Sequence, residues 1–187
     1  MVEIEKKYRL TKSQFTSIRR KLETSNAKSI GEEFEENTLY GGGTLDPTRK
    51  VLRLRRVGKK GILTYKERHP GTSDIKRHRE EETAVEDPAR TAAILKLLGF
   101  TPVLVYEKRR QTWRMSNAEL VLDELPFGLY MEIEGSEKAI RAIERNFGLK
   151  TLEVEDATYP QLTLRLGKKK DGRVEARFEK RSSRRVH

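Results

Sequence analysis

Charge in this chain recurs at every second residue through segments that otherwise read as β-strand. In a strand, successive side chains point to opposite faces, so residues two apart share one. Glu3, Glu5 and Lys7 therefore share a face, with Val2, Ile4 and Tyr8 opposite. The same parity sets Arg53 and Arg55 against Leu52 and Leu54, and Lys66 with Thr64 against Leu63 and Tyr65. Lys108 and Arg110 are paired by the same spacing. Asp123 lies opposite Leu120 and Leu122, and Glu132 and Glu134 lie opposite Met131 and Ile133. Thr83 and Val85 favour the apolar face of their segment, which leaves Glu80 and Glu82 on the charged one.

Two architectures satisfy this pattern. An open antiparallel sheet carries helices under its apolar face and water over its charged one. Strand by strand, that is the commoner arrangement. A solvated face, however, mixes Thr, Ser, Gln and Lys freely, whereas here the signs are segregated. Glu-x-Glu occurs at both ends of the sheet, and Arg-x-Arg or Lys-x-Arg in two strands between. The alternative turns the charged faces inward on a common cavity.

The remaining elements follow from local signals. Residues 2–9, 32–40, 51–57, 62–68, 76–85, 102–115, 119–124 and 130–134 read as strands. Thr11 with Gln14 forms a capping box before a helix striped by Phe15, Ile18 and Leu22. Asp87-Pro88 starts a second helix that stops at Gly99, and Ser136 caps a third that closes at Gly148. A short helix is expected after Thr158-Tyr159-Pro160. Strands followed by helices, twice over, make an α+β chain, and at 187 residues no second domain is needed.

Only 35% of residues are apolar and 37% are charged, a balance that suits disorder unless the apolar residues are periodic, as they are here. The net charge of +11 favours polyanionic partners: nucleic acid, acidic membrane surfaces or phosphorylated small molecules. From Gly167 onward nine bases face three acids, so residues 167–187 are expected to be a basic, mobile tail, with a weak polyanion contact as the minority reading. The absence of cysteine excludes disulfides, thiolate chemistry and sulfur-ligated zinc. The first residues run straight into a strand, which argues against a signal peptide. No apolar run is long enough to span a bilayer, so no membrane partner and a cytoplasmic setting are expected. A homodimer is compatible with all of this, and the sequence does not decide it.

Segregated acids and bases on rigid strands suit phosphoryl or nucleotidyl transfer. Carboxylates are natural ligands of Mg²⁺ or Mn²⁺, and basic side chains clamp the remaining phosphate charge. Three other features carry less. His69, His78 and His187 have no ligand spacing, although His78 shares the Glu80 face. Gly41-Gly42-Gly43 is followed by no Gly-Lys-Ser/Thr, which favours a turn over a phosphate loop. Trp113 and the other aromatics lack the stacking pattern of a single-strand-binding surface and are expected to pack under helices.

Glu3-Ile4-Glu5-Lys6-Lys7 resembles the N-terminal Glu-x-Glu-x-Lys signature of the CYTH family, the triphosphate tunnel metalloenzymes. The likeness continues in order through Leu52-Arg53-Leu54-Arg55, Leu63-Thr64-Tyr65-Lys66, Glu80-Glu81-Glu82, Lys108-Arg109-Arg110, Leu122-Asp123 and Glu132-Ile133-Glu134. It implies an eight-stranded antiparallel barrel or tunnel with flanking helices over residues 1–166. By resemblance, Glu3, Glu5, Asp123, Glu132 and Glu134 hold the metals, Mg²⁺ or Mn²⁺. Lys7, Arg53, Arg55, Lys66, Lys108 and Arg110 bind a triphosphate substrate. Lys7, Glu80 and Glu82 are catalytic candidates, the two acids adding a metal contact or orienting a base. Met131-Glu132-Ile133-Glu134-Gly135-Ser136, and then Thr158-Tyr159, look most like the class IV adenylyl cyclase branch, which converts ATP to cyclic AMP and pyrophosphate. That branch often has Ser-Tyr followed by paired leucines, where this chain has Thr158-Tyr159-Pro160-Gln161-Leu162-Thr163. Hydrolysis of inorganic triphosphate, thiamine triphosphate or nucleoside triphosphates is the alternative. A polyphosphate- or nucleotide-binding module without turnover is a third reading, and RNA binding through the tail a fourth.

Overall fold

The computed structural model describes residues 2–46, 49–68 and 76–179, with backbone alone for 2, 3, 68 and 76–78. Its strands are Val2–Leu10 (β1), Lys28–Gly41 (β2), Lys50–Val57 (β3), Lys60–Arg68 (β4), Lys76–Val85 (β5), Thr101–Met115 (β6), Ala118–Leu125 (β7), Gly128–Gly135 (β8), Glu153–Val154 (β9), Lys168–Lys170 (β10) and Arg173–Ala176 (β11). Helices are Lys12–Thr24 (α1), Pro88–Leu97 (α2), Glu137–Phe147 (α3) and Tyr159–Leu166 (α4). Each helix begins where a side chain satisfies its free amides: Thr11, Asp87, Ser136 and Thr158 accept from the residue three positions on. Among the described residues no helix is long and apolar enough to cross a membrane.

The pairings β6-β2-β3-β4-β5-β1-β8-β7 return to β6 through the β6–β7 ladder, every one of them antiparallel. Eight strands thus surround a tunnel, as expected, and strand parity decides what faces it. Outside the wall, Tyr8, Trp113, Leu120, Leu122, Met131 and Ile133 pack against Ile18 and Leu22 of α1 and Ile140, Ile143 and Phe147 of α3. On the far side, Tyr40 and Leu54 pack under Leu95 of α2. A third cluster fills one end of the tunnel, where Leu39, Leu104, Tyr106, Leu125 and Tyr130 meet Tyr159 and Leu162 of α4.

Besides shifts of one or two residues at most of the strand ends, three differences from the sequence reading have a physical cause. β2 begins at Lys28 rather than residue 32, because a register shift between Ser29 and Gly31 breaks the two-residue alternation there. The β3–β4 turn is only Gly58-Lys59, so Gly61 lies within β4. A Cβ on Gly61 would come within 2.6 Å of Val85 and 2.7 Å of Pro88, so the wall closes on α2 only with glycine there.

The third difference concerns the expected mobile tail. Lys168–Lys170 and Arg173–Ala176 form a hairpin, and β11 pairs in parallel with Leu104–Tyr106 of β6. The physical reason is the length of β6: β7 pairs only with residues 109–115, leaving the start of β6 with an open edge. Arg177 then bonds Glu36, Glu107 and Glu175, and the Phe178 amide donates to Glu107. Residues 180–187 lie outside the described residues.

Candidate active site

The tunnel interior is a cavity of about 810 Å³ lined by charged side chains from β1, β3, β4, β5, β6, β7 and β8. Glu5, Lys7, Arg53, Arg55, Lys66, Glu80, Glu82, Lys108, Arg110, Glu132 and Glu134 all line it, so the structure brings these sequence-expected residues together. Asp123 is buried directly behind them, with no exposed surface. Glu3 pairs with His78 across β1 and β5, and both side chains lie outside the described residues, as do His69 and His187. Trp113 packs beneath α1 and α3.

The deep half is an interlocked set of charges. Arg110 donates to both oxygens of Asp123, at 2.8 and 2.6 Å, and to Glu132 at 2.7 Å. Tyr159 donates its hydroxyl to the same Asp123 at 2.8 Å. Lys108 lies 3.6 Å from Asp123 and 3.4 Å from Glu35. Burial alone would raise the Asp123 carboxyl, but Arg110 and Lys108 hold it below the usual range. Lys108 itself, buried and beside Arg110, is pushed down to about 8 against the pull of Asp123 and Glu35. Lys7 lies 3.9 Å from Glu132, with its ammonium 4.3 Å from the centre of the Tyr159 ring.

On the opposite wall Lys66 pairs with Glu80 at 2.8 Å. Thr64 donates to Glu82 at 2.9 Å, and Arg53 donates to Thr64 at 3.3 Å. Arg55 lies 3.7 Å from both Glu35 and Glu82. Glu80 and Glu82 are therefore in contact with the bases of this wall.

At the other end of β1, β8 and β7 the chemistry changes. Glu5 is the register partner of Glu134, and Glu134 that of Glu119, so three carboxylates stand in one row across adjacent strands. All three line the cavity. Such neighbours repel unless a cation stands between them. Among the described residues no three His, Cys, Asp or Glu groups are gathered as a ready-made metal cage. Mg²⁺, however, is commonly held by one or two carboxylates together with substrate phosphates, so an all-oxygen row fits it without a cage.

Sequence reasoning missed several contributors, Arg49 just before β3 among them. Glu35 has no exposed surface and sits among Arg55, Lys108 and Arg110, which hold its carboxyl far below the usual range against the opposing effect of burial. Asn37 donates to Glu35 at 3.0 Å. Glu119 completes the acidic row, and Tyr159 closes the deep end. Glu35, Asn37 and Leu39 share one parity on β2, and that spacing was the available signal. Lys6, within the N-terminal signature, points the other way: its ammonium meets Glu144 of α3 at 2.7 Å, where Tyr8 and Arg141 also donate.

The sequence model described as the CYTH domain matches residues 1–162. A Methanocaldococcus jannaschii protein named "Putative adenylate cyclase MJ0240" is 29% identical over 140 residues, which is 73% of this chain and 78% of that one. The solved PH1012 protein of Pyrococcus horikoshii superposes with a TM-score of 0.74 at 31% identity, covering 86% of this chain and 98% of its own. The Hippeastrum protein HpAC1, described as having a dominant triphosphatase activity, shares the fold at a TM-score of 0.66 and 16% identity, over 85% of this chain and 93% of that one.

Proposed function

The chain belongs to the CYTH domain family, and from that premise we propose that it is a divalent-metal-dependent enzyme acting on the triphosphate group of its substrate. One observation carries this reading: seven basic side chains, Arg49 among them, and a carboxylate row line a single cavity of about 810 Å³. Lys7, Arg53, Arg55, Lys66, Lys108 and Arg110 grip the phosphate oxygens. Glu5 and Glu134, with Glu3 and Glu132, would hold Mg²⁺ or Mn²⁺. A cation bound there would supply charge neutralisation at the phosphate oxygens and acidify a coordinated water. Asp123 serves differently from the resemblance-based expectation. Both its oxygens accept from Arg110 and one also from Tyr159, so it orients the clamp. Glu80 and Glu82 orient Lys66, Arg53 and Arg55 in the same way.

Two reactions use such a clamp. In ATP cyclisation, the reading that the name of the M. jannaschii relative supports, the ribose 3′-hydroxyl attacks the α-phosphate and pyrophosphate leaves. In hydrolysis, water attacks the terminal phosphate. Among the described residues lining the cavity, the aromatic side chains are Tyr106 and Tyr159, both buried at the deep end. Incubation with ATP, thiamine triphosphate or inorganic triphosphate, with Mg²⁺ or Mn²⁺, distinguishes the two reactions. Cyclic AMP with pyrophosphate identifies the cyclase, and orthophosphate the triphosphatase. Binding without any metal-dependent product sinks the enzyme reading in favour of a binding module.

A further inference from the structure

We propose that Tyr159 is the stop against which the phosphate chain seats, and that it sets how many phosphates the tunnel admits. This deepens the triphosphate reading above and rests on it. Tyr159 is the first residue of α4 and is only 6% exposed. Its position is fixed from three directions. The Thr158–Gln161 capping box anchors the helix start, Tyr130 packs edge-on at 5.4 Å, and the hydroxyl donates to Asp123 at 2.8 Å. Behind the ring lies the apolar plug, in which Leu162 of α4 is clustered with Leu39, Leu104 and Leu125 of the wall. An anion cannot enter that plug without losing its hydrogen bonds.

In front of the ring stand two cations. The Lys7 and Lys108 ammonium groups lie 4.3 and 5.5 Å from the ring centre, within the range of cation–π attraction. They come from β1 and β6, which are not paired with each other, and Tyr159 is one side chain that touches both. The terminal phosphate therefore meets a pair of ammonium groups backed by a wall, and its depth is fixed by the ring. A chain one phosphate longer seats at the same stop, so its extra unit lies one position nearer the entrance. Tyr159 is a positioning and specificity-determining residue in this scheme, acting through Lys7, Lys108 and Asp123.

The test is calorimetric binding of linear inorganic triphosphate and tetraphosphate, with Mg²⁺, to the wild type, Tyr159→Phe and Tyr159→Ala. The wild type is expected to prefer triphosphate. Tyr159→Ala is expected to shift the tri-to-tetraphosphate affinity ratio toward tetraphosphate by about tenfold, while Tyr159→Phe, which keeps the ring, preserves the ratio. A Tyr159→Ala protein that loses affinity for both by the same factor shows a merely structural residue and overturns the proposal. Should its melting curve reveal unfolding, Tyr159→Leu carries the same ratio test with the plug kept apolar. A wild type that binds both equally overturns the stop alone. A wild type that binds neither overturns the triphosphate reading with it.

Discussion

The two ends of the tunnel handle charge in opposite ways. At the deep end, acids and bases are interleaved: Arg110 spans Asp123 and Glu132, and Glu35 sits among three cations. At the other end, the carboxylates Glu5, Glu134 and Glu119 stand in consecutive register, with Arg114 paired to Glu119 at 3.5 Å at the edge of the row. Burying a charge is tolerable only with partners, and the deep end finds those partners inside the fold. The acidic row sets like charges side by side, an arrangement that a soluble cation relieves. One end is matched acid to base throughout, and the other concentrates acids where a bound cation can add to the partners, Arg114 among them, that the row already has.

That contrast can be broken. Glu5→Gln and Glu134→Gln are each expected to lower metal-dependent turnover by roughly a hundredfold or more while leaving the fold intact. Steady-state rates beside circular dichroism check this, and full activity in both variants sinks the assignment of the row. Glu35→Ala is expected to do the reverse, costing about 3 kcal/mol of stability by stranding buried cations. Urea unfolding measures it, and an unchanged midpoint would show that the deep end does not depend on its internal matching.

Finer tests follow. Arg53→Ala, on the wall between the two ends, is expected to weaken triphosphate binding by between about tenfold and a hundredfold, the worth of a charge-assisted hydrogen bond. An unchanged apparent affinity would make that wall merely solvated. Lys108 gives a pH signature, since its ammonium loses its proton near 8 rather than in the usual lysine range. Affinity for triphosphate should be fully present below that value and fall by up to about tenfold per unit above it. Stability moves the other way. Between about 8 and the ordinary lysine value the unfolded chain binds more protons, so folding strengthens as pH rises. Lys108→Met should flatten both profiles, and a profile that keeps its inflection in this variant would move the titration to another group. The smallest effect concerns the C-terminus. Deletion of residues 180–187 is expected to change triphosphate turnover by less than about twofold while weakening retention on a polyanion column; a large loss of turnover would tie that segment to the tunnel.

Legibility in the sequence followed periodicity. Where a strand keeps strict alternation, as in β1, β3 and β8, parity alone put Glu5, Lys7, Arg53, Arg55, Glu132 and Glu134 on the cavity side. β2 broke the pattern, because its first half is exposed on both faces and shifted at Gly31, and acids occupy both parities from Glu32 to Glu36. Glu35 was hidden there among solvated neighbours. Lys6 was illegible for another reason: a charge on an otherwise apolar face makes sense only through Glu144, which is remote in sequence. β11 could not be read as structure at all, since its four residues gain their meaning from the edge that β7 leaves open.

The plug formed by α4 has a kinetic consequence. A passage sealed at one end has a single door, so molecules inside must leave in the reverse of the order in which they entered. With a triphosphate seated as proposed, the phosphate against Tyr159 would be the last part to leave, after the remainder has cleared the entrance. Free orthophosphate, occupying the innermost seat, would then compete with incoming substrate, and turnover would be paced by traffic through the opening as well as by bond cleavage.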